Sequence, residues 1–272
     1  MQGVPPAPKA VASLQACPRP WLIGVLHVPA LPGAPAARLP MDEITRRVVE
    51  DAQLLQTHGF SAVLVENFHD SPFPAGPSAP ETIAAMTVVT QAVREAVSLP
   101  VGVQLLRNDA LAGLGVAAAT GASFVRVNVL SGAAVTDQGL VQGQADVLLR
   151  KRAALGLDDV ALLADVDVKH ATSLDRRPLT ERARDLAGRN GADAVLVTGS
   201  ATGASVDLDE LERVARAVAP VPTLAASGTT AETLPAVLER CAGTLVGSAL
   251  EDPTTGRIDP ERASAYASSR SP

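Results

Sequence analysis

Between Leu162 and Ala171 (LLADVDVKHA) an apolar run gives way to four ionisable side chains: Asp165, Asp167, Lys169 and His170. In an extended chain, successive side chains alternate faces. Asp165, Asp167 and Lys169 are therefore expected on one face, with Val166, Val168 and His170 on the other. Two carboxylates and an ammonium at the end of a buried strand are costly to desolvate one at a time. Held together they shift one another's pKa, which is the chemistry of proton transfer. A carboxylate beside an ammonium is lowered and the ammonium raised, while a second carboxylate opposes the first effect. Asp165 and Lys169 are thus the expected acid/base pair, with Asp167 beside them. The competing reading is a structural ion pair at a strand end.

Other polar residues recur after short apolar runs elsewhere in the chain. His27 and Glu66 are the further expected catalytic groups, with Glu66 opposing the Asp165/Lys169 pair from the second strand. Asn67, Arg107, Asn108, Arg126, Asn128, Thr198 and Ser200 are expected to bind substrate. Small turns at Gly199–Gly203, Ser227-Gly228 and Gly247-Ser248 let backbone N–H groups approach an anion, and a following helix N-terminus would add positive partial charge. Gly199, Ser227, Gly228, Gly247 and Ser248 are therefore the expected phosphate-binding residues. His27, Glu66, Asp165 and His170 also have the chemistry of a divalent-metal set. They lie on separate strands with no HxH or HExxH spacing, and no cofactor is expected. Lys169 is less suited to Schiff-base chemistry, because neighbouring carboxylates would keep it protonated.

The elements that must position these residues alternate regularly. Strands are expected at Trp21–Val28, 62–65, 100–106, 123–129, 161–167, 194–198, 222–226 and 243–246. Helices are expected at about 42–58 (with Asp42 as N-cap and Gly59 as stop), 81–98, 110–119, 140–155, 180–189, from 207 onward, 231–239 and 260–268. Continuously apolar strands of this length are buried on both faces, as in a parallel sheet covered by helices. Eight such units in 272 residues predict one (β/α)8 barrel (a TIM barrel) over 21–268, after a loosely ordered Pro- and Ala-rich arm at 1–20. An open doubly wound sheet usually carries a glycine-rich turn after its first strand, and Val28-Pro29-Ala30-Leu31-Pro32-Gly33 is not one. In a closed barrel the polar strand ends converge on one face. The turns after strands seven and eight then occupy the usual phosphate position of this fold.

Composition narrows the function classes. Hydrophobic residues make up 47% and charged ones 19%, as in a globular protein; aromatics are only 2%, so the core must be built from Ala, Val and Leu. The net charge of −6, with no Lys/Arg-rich run, argues against a nucleic-acid partner. Cys17 and Cys241 form neither a disulfide framework nor a spaced metal motif, and a cytoplasmic location is expected. No uninterrupted apolar run reaches the roughly 18 residues of a membrane span. Leu14-Gln15-Ala16-Cys17 looks like the end of a lipoprotein signal, but the Pro-rich residues before it have no apolar core. A homo-oligomer is expected by fold analogy only.

Seven segments together carry a specific resemblance: GVLHVPALPG (24–33), VENFHDSPF (65–73), VGVQLLRND (101–109), FVRVNV (124–129), VTDQG (135–139), ADVDVKHA (164–171) and VTGSATG (197–203). Over about 22–250 the chain resembles the BtpA/SgcQ family, whose members look like ribulose-phosphate-binding barrels. The resemblance implies either of two roles: photosystem I biogenesis, from which the family takes its name, or sugar metabolism, with which SgcQ-like members are associated. The chain departs from the family pattern at Gln104, where Asn is common, and at Leu130 and Asp167, where His is common. The leading expectation is an enzyme acting on a phosphorylated sugar or related phosphate ester by isomerisation, epimerisation, C–C cleavage or glycosyl-bond chemistry. The alternative is a non-catalytic assembly or biogenesis factor that retains the barrel.

Overall fold

A computed structural model describes residues 14, 16, 17, 19–199 and 205–270. Eight short strands close into a parallel barrel: β1 (Trp21–His27), β2 (Ala62–Glu66), β3 (Val101–Gln104), β4 (Phe124–Val127), β7 (Ala161–Asp165), β9 (Ala194–Val197), β10 (Thr223–Ala225) and β11 (Gly243–Val246). The order around the ring follows the chain, and β11 pairs with β1 through Trp21 opposite Gly243 and Gly24 opposite Val246. This is the (β/α)8 barrel expected from the sequence.

Helices cover the outside: α1 (Met41–Thr57), α2 (Pro80–Ala96), α3 (Ala110–Thr120), α4 (Ala145–Ala154), α5 (Leu179–Gly188), α6 (Leu208–Val218), the five-residue α7 (Leu234–Leu238) and α8 (Pro260–Ser269). The reason is periodicity. In α1 the buried residues Ile44, Val48, Ala52 and Leu55 recur every three or four positions and form one apolar stripe. That stripe packs on the outward strand residues, such as Leu22, Val63 and Val65. The N-cap position of α1 is Pro40 rather than Asp42, which lies in the first turn, where its charge still complements the helix dipole.

The inward strand residues form a second, separate core. Trp21, Ile23, Leu64, Phe124, Leu163, Leu196, Leu224 and Leu245 pack there with several alanines. With so few aromatics, two large rings do much of the filling. Gly102 makes room for one of them: a methyl group there would lie 2.0 Å from the Phe124 ring. Leu14, within the stretch expected to be a loose arm, is buried in the same cluster, and the Trp21 indole N–H donates to the Cys17 carbonyl at 3.2 Å.

One expected element is replaced. The segment read as a loop followed by a helix at 140–155 instead forms a hairpin, β5 (Ala133–Thr136) and β6 (Gly139–Gln142), to which β8 (Ala171–Ser173) adds an antiparallel strand. Thr136 pairs with Gly139 across the two-residue turn Asp137-Gln138, and Gly139 adopts φ 102°. Helix α4 therefore starts only at Ala145. The inner face of this small sheet packs Ala134 and Val141 on Val129. Its outer face leaves Val135 and Leu140 exposed, with Leu174 just beyond β8. Among the described residues, no helix is long and apolar enough to cross a membrane.

Candidate functional site at the barrel mouth

Strand alternation places the site. On β1, β2, β3, β4 and β7 the last inward positions are His27, Glu66, Gln104, Arg126 and Asp165, beyond the apolar inner core. Register confirms that they neighbour one another: His27 is opposite Glu66, and Glu66 opposite Gln104. A ring of polar groups thus caps the barrel at the carboxyl ends of its strands, where this fold carries its sites.

Arg126 is the hub of the ring. Its Nε and Nη2 donate to the two oxygens of Asp165 at 3.2 and 3.1 Å, and its Nη1 lies 3.8 Å from Glu66 Oε2. Burial alone would push the Arg126 guanidinium down; the carboxylates of Asp165 and Glu66, with the Asp165 hydrogen bonds, hold it above its usual range. Asn128 Nδ2 also donates to Asp165, at 2.6 Å. The Asp165 side chain is 0% exposed and lies under Arg126 and Asn128 rather than on the cavity wall. Its geometry is that of the structural ion pair, with Arg126 as partner in place of the expected Lys169.

Strand β7 ends at Asp165, so the expected alternation stops there. The chain turns, and the Asp167 carboxylate faces outward onto Arg182 of α5, with oxygens 2.6 and 2.8 Å from its two Nη atoms. The expected catalytic position of Asp167 is therefore corrected. Lys169 returns to the mouth, half-buried, and lines both cavities described below. Burial and the neighbouring Arg126 cation push its ammonium below the usual lysine range, against the pull of Asp165 and Glu66. Among the described residues its Nζ has no ion-pair partner.

Two adjoining cavities open on this face. One, of about 450 Å³, is lined by Glu66, Phe68, Gln104, Arg107, Arg126, Asn128, Asp137 and Lys169, among others. The other, of about 360 Å³, runs from His27, Glu66, Phe68, Arg126 and Lys169 to Ser227-Gly228-Thr229-Thr230 and Gly247-Ser248. Glu66, Phe68, Arg126 and Lys169 are common to both. In the first cavity, Gln104 Oε1, Asn128 Oδ1 and Arg107 Nε are buried polar atoms with no hydrogen-bond partner among the described residues. The Asn128 orientation follows from Asp165, whose carboxylate can only accept, so the amide nitrogen faces Asp165 and the oxygen is left over.

His27 Nδ1 lies 2.7 Å from Glu251 Oε1 and must donate, because the carboxylate accepts. The ring stacks on Phe68 at 4.2 Å, and its Cε1–Nε2 edge lies against Gly247, where a methyl group would come within 3.0 Å. His69 stands edge-on to His27 at 6.2 Å and is pushed down chiefly by burial.

Several expected binding residues are occupied elsewhere. Asn67 accepts from Leu106 N–H at 2.8 Å and donates to Asp70 at 3.0 Å. Asn108 exchanges both its amide hydrogen bonds with the Val129 backbone at 2.9 Å. Both are loop clamps, as their amide groups suit them to be. Thr198 Oγ1 donates to the Asp167 carbonyl at 2.9 Å, and the Gly199 N–H donates to Ser227 Oγ at 2.8 Å. Ser200 lies outside the described residues, as do 201–203. Directly behind the two phosphate-type turns stand only the five-residue α7 and a 3₁₀ turn at Ser248–Leu250; the helix expected after β11 is present as α8 but begins at Pro260, twelve residues beyond Ser248. Arg107 does reach the mouth, where Nη2 donates to the Lys169 carbonyl at 2.5 Å. Among the described residues, no three His, Cys, Asp or Glu side chains converge as a metal group, so His27, Glu66, Asp165 and His170 are not assembled into one.

Gln104, Glu251 and Phe68 contribute to the mouth from outside the expected set. Gln104 carried a usable signal, since it holds the last inward position of its strand, in phase with Glu66 and Arg126. Glu251 carried none, because it reaches His27 across 224 residues from the chain after β11.

A closed ring of eight parallel strands with alternating helices defines a (β/α)8 barrel, with its charged, cavity-bearing mouth at the strand carboxyl ends. Structural likeness agrees on the fold. N-(5'-phosphoribosyl)anthranilate isomerase from Pyrococcus furiosus superposes with a TM-score of 0.56 at 16% identity, covering 92% of this chain and 98% of that one. N-acetylmannosamine-6-phosphate 2-epimerase from Clostridium perfringens gives 0.55 at 16% identity, over 89% and 91%. At the level of sequence the chain belongs to the BtpA family, whose model matches residues 19–271. A relative, the photosystem I biogenesis protein BtpA of Synechocystis sp., is 38% identical over 247 residues, 90% of this chain and 86% of that protein.

Proposed function

We propose that this protein is an enzyme of phosphorylated-sugar chemistry that moves a proton next to a carbonyl, as an isomerase or epimerase does. The observation that carries the reading is the wall shared by the two cavities. It sets a carboxylate, Glu66, and an ammonium, Lys169, that has no ion-pair partner among the described residues, where both cavities meet. A carboxylate and an ammonium on opposite sides of a carbon–carbonyl unit can remove a proton and stabilise the oxygen charge that develops. Glu66 is the base and Lys169 the donor to the oxygen. Arg126, held by Asp165, lies 3.8 Å from Glu66 and fixes the position of its carboxylate. The phosphate lies at Ser227-Gly228 and Gly247-Ser248, where the backbone has no bulky side chain to hold an anion away. Supporting this, the two barrels of similar fold named above carry names that denote an isomerase and an epimerase acting on phosphorylated sugars.

The test is isotope exchange. A panel of pentose and hexose phosphates is incubated with the protein in deuterium oxide, and uptake at the carbon beside the carbonyl is read by NMR. Exchange that Lys169→Met and Glu66→Gln each reduce by roughly 100-fold, the scale of general acid–base catalysis, is the expected result. Absence of both binding and exchange across the panel refutes the reading.

A second reading, an assembly factor, is favoured by the exposed apolar outer face formed by Val135, Leu140 and Leu174, together with the name of the Synechocystis relative. It predicts that Leu140→Lys and Leu174→Lys abolish partner capture while leaving sugar-phosphate binding intact.

A further inference from the structure

The first cavity is lined by three cations, Arg107, Arg126 and Lys169, against two carboxylates, Glu66 and Asp137. Arg107 and Lys169 both line it, half-buried, and among the described residues neither has a carboxylate within ion-pair distance. The single hydrogen bond from Arg107, Nη2 to the Lys169 carbonyl, ties the two residues together and leaves its buried Nε without a partner. Arg126 stands on the same wall, but its charge is already matched by Asp165 and Glu66. Burial depresses both cations, and the nearby carboxylates oppose it only at a distance: Asp137, Asp165 and Glu66 for Arg107, Asp165 and Glu66 for Lys169. A directly bound anion relieves that arrangement. In the same cavity, Gln104 Oε1 and Asn128 Oδ1 are buried acceptors that need donors.

We propose that the ligand carries a second anionic group, a carboxylate or a second phosphate, bound by Arg107 and Lys169 in the first cavity, while its phosphate occupies the turns of the second. This rests on the reading of the site given above and specifies its substrate class: a phosphorylated sugar acid or a sugar bisphosphate, with hydroxyl groups that donate to Gln104 and Asn128. The planar guanidinium of Arg107 offers Nε and a terminal nitrogen side by side, the geometry that matches two oxygens of one anion.

The experiment compares matched probes by calorimetry: glucose 6-phosphate with gluconate 6-phosphate, and ribulose 5-phosphate with ribulose 1,5-bisphosphate. At least one doubly anionic probe is expected to bind about tenfold or more tightly than its singly phosphorylated partner, the scale of one charge-assisted contact. The preference should persist at about 0.5 M salt, because the groups are sheltered from screening. In Arg107→Met the preference should fall to about twofold or less, with the affinity for the singly phosphorylated probe little changed; Arg107→Lys should keep part of it. The first pair reports a carboxylate and the second a phosphate. Equal affinity within both pairs, or a preference that survives Arg107→Met, overturns this inference alone. Failure of every probe, inorganic phosphate included, overturns it together with the proposed function. Melting curves of the variants separate loss of the fold from loss of the contact.

Discussion

Replacing Asp165 by Asn removes one charge and almost no volume, so it isolates what the buried pair does. In the native arrangement the carboxylate accepts two hydrogen bonds from Arg126 and one from Asn128, and its side chain is fully shielded from water. The amide can present only one oxygen, and its nitrogen would face a donor on either neighbour. Arg126 would keep one counter-ion, Glu66, at 3.8 Å. Stranding one member of a buried pair costs about 3–5 kcal/mol. Because Glu66 remains and Asn128 can turn its unpartnered oxygen toward the new amide, the lower end, about 3 kcal/mol, is expected. At roughly 2–4 °C per kcal/mol for a chain near this size, that is a fall in Tm of about 6–12 °C. The assay is thermal unfolding followed by circular dichroism, with ligand binding measured on the same samples well below the transition. A Tm within about 2 °C of the native protein would refute the assignment of Asp165 as the buttress under Arg126.

Lys169→Met should do the reverse. It removes a desolvated charge without stranding a carboxylate, so stability should rise by roughly 0.5–2 kcal/mol while turnover falls about 100-fold, the trade expected where a site holds function against stability. A destabilised but active variant would contradict this. The lowered lysine has a pH consequence. Where its folded pKa lies below the unfolded value of about 10.4, the unfolded chain binds more protons, so stability gains with rising pH through that window, and Lys169→Met should lose the gain. With Lys169 acting as donor, activity should also decline on the alkaline side at a lower pH than an ordinary lysine would give; a decline that is unchanged in Lys169→Arg would assign it to another group. Asp167→Asn should retain nearly all activity and change stability by no more than about 1 kcal/mol, because its pair with Arg182 is partly exposed and outside both cavities. Gly102→Ala should cost about 1–3 kcal/mol by overpacking the inner core, with Phe124→Leu restoring part of it; an unchanged Tm in the single variant would refute the close contact.

Much of this architecture was legible in the chain. Eight apolar runs, each followed by a helical stripe, leave few arrangements other than a closed parallel barrel, because strands apolar on both faces need cover on both. The same alternation brought His27, Glu66 and Arg126 to one rim, since a period of two continues as long as a strand does. The hairpin at 133–142 is less legible, although Asp137-Gln138-Gly139 is a turn signal, because its short strands lie outside the barrel rhythm.

Strand alternation therefore brings His27, Glu66 and Arg126 to the mouth, whereas the partner of each polar group follows from the tertiary structure. Asp165 and Asp167 have the same type, two positions apart, yet one is sealed beneath Arg126 and the other holds Arg182 on the outer wall. The cause is local: the strand ends at Asp165, and once the ladder stops, nothing in the spacing says where the next side chain points. Asn67 and Asn108 became loop clamps because backbone groups were nearer than any ligand, and Glu251 reached His27 only because the barrel closes β11 against β1. Local periodicity is written in consecutive residues; contacts between strand ends depend on how the ring closes, which no stretch of the chain contains.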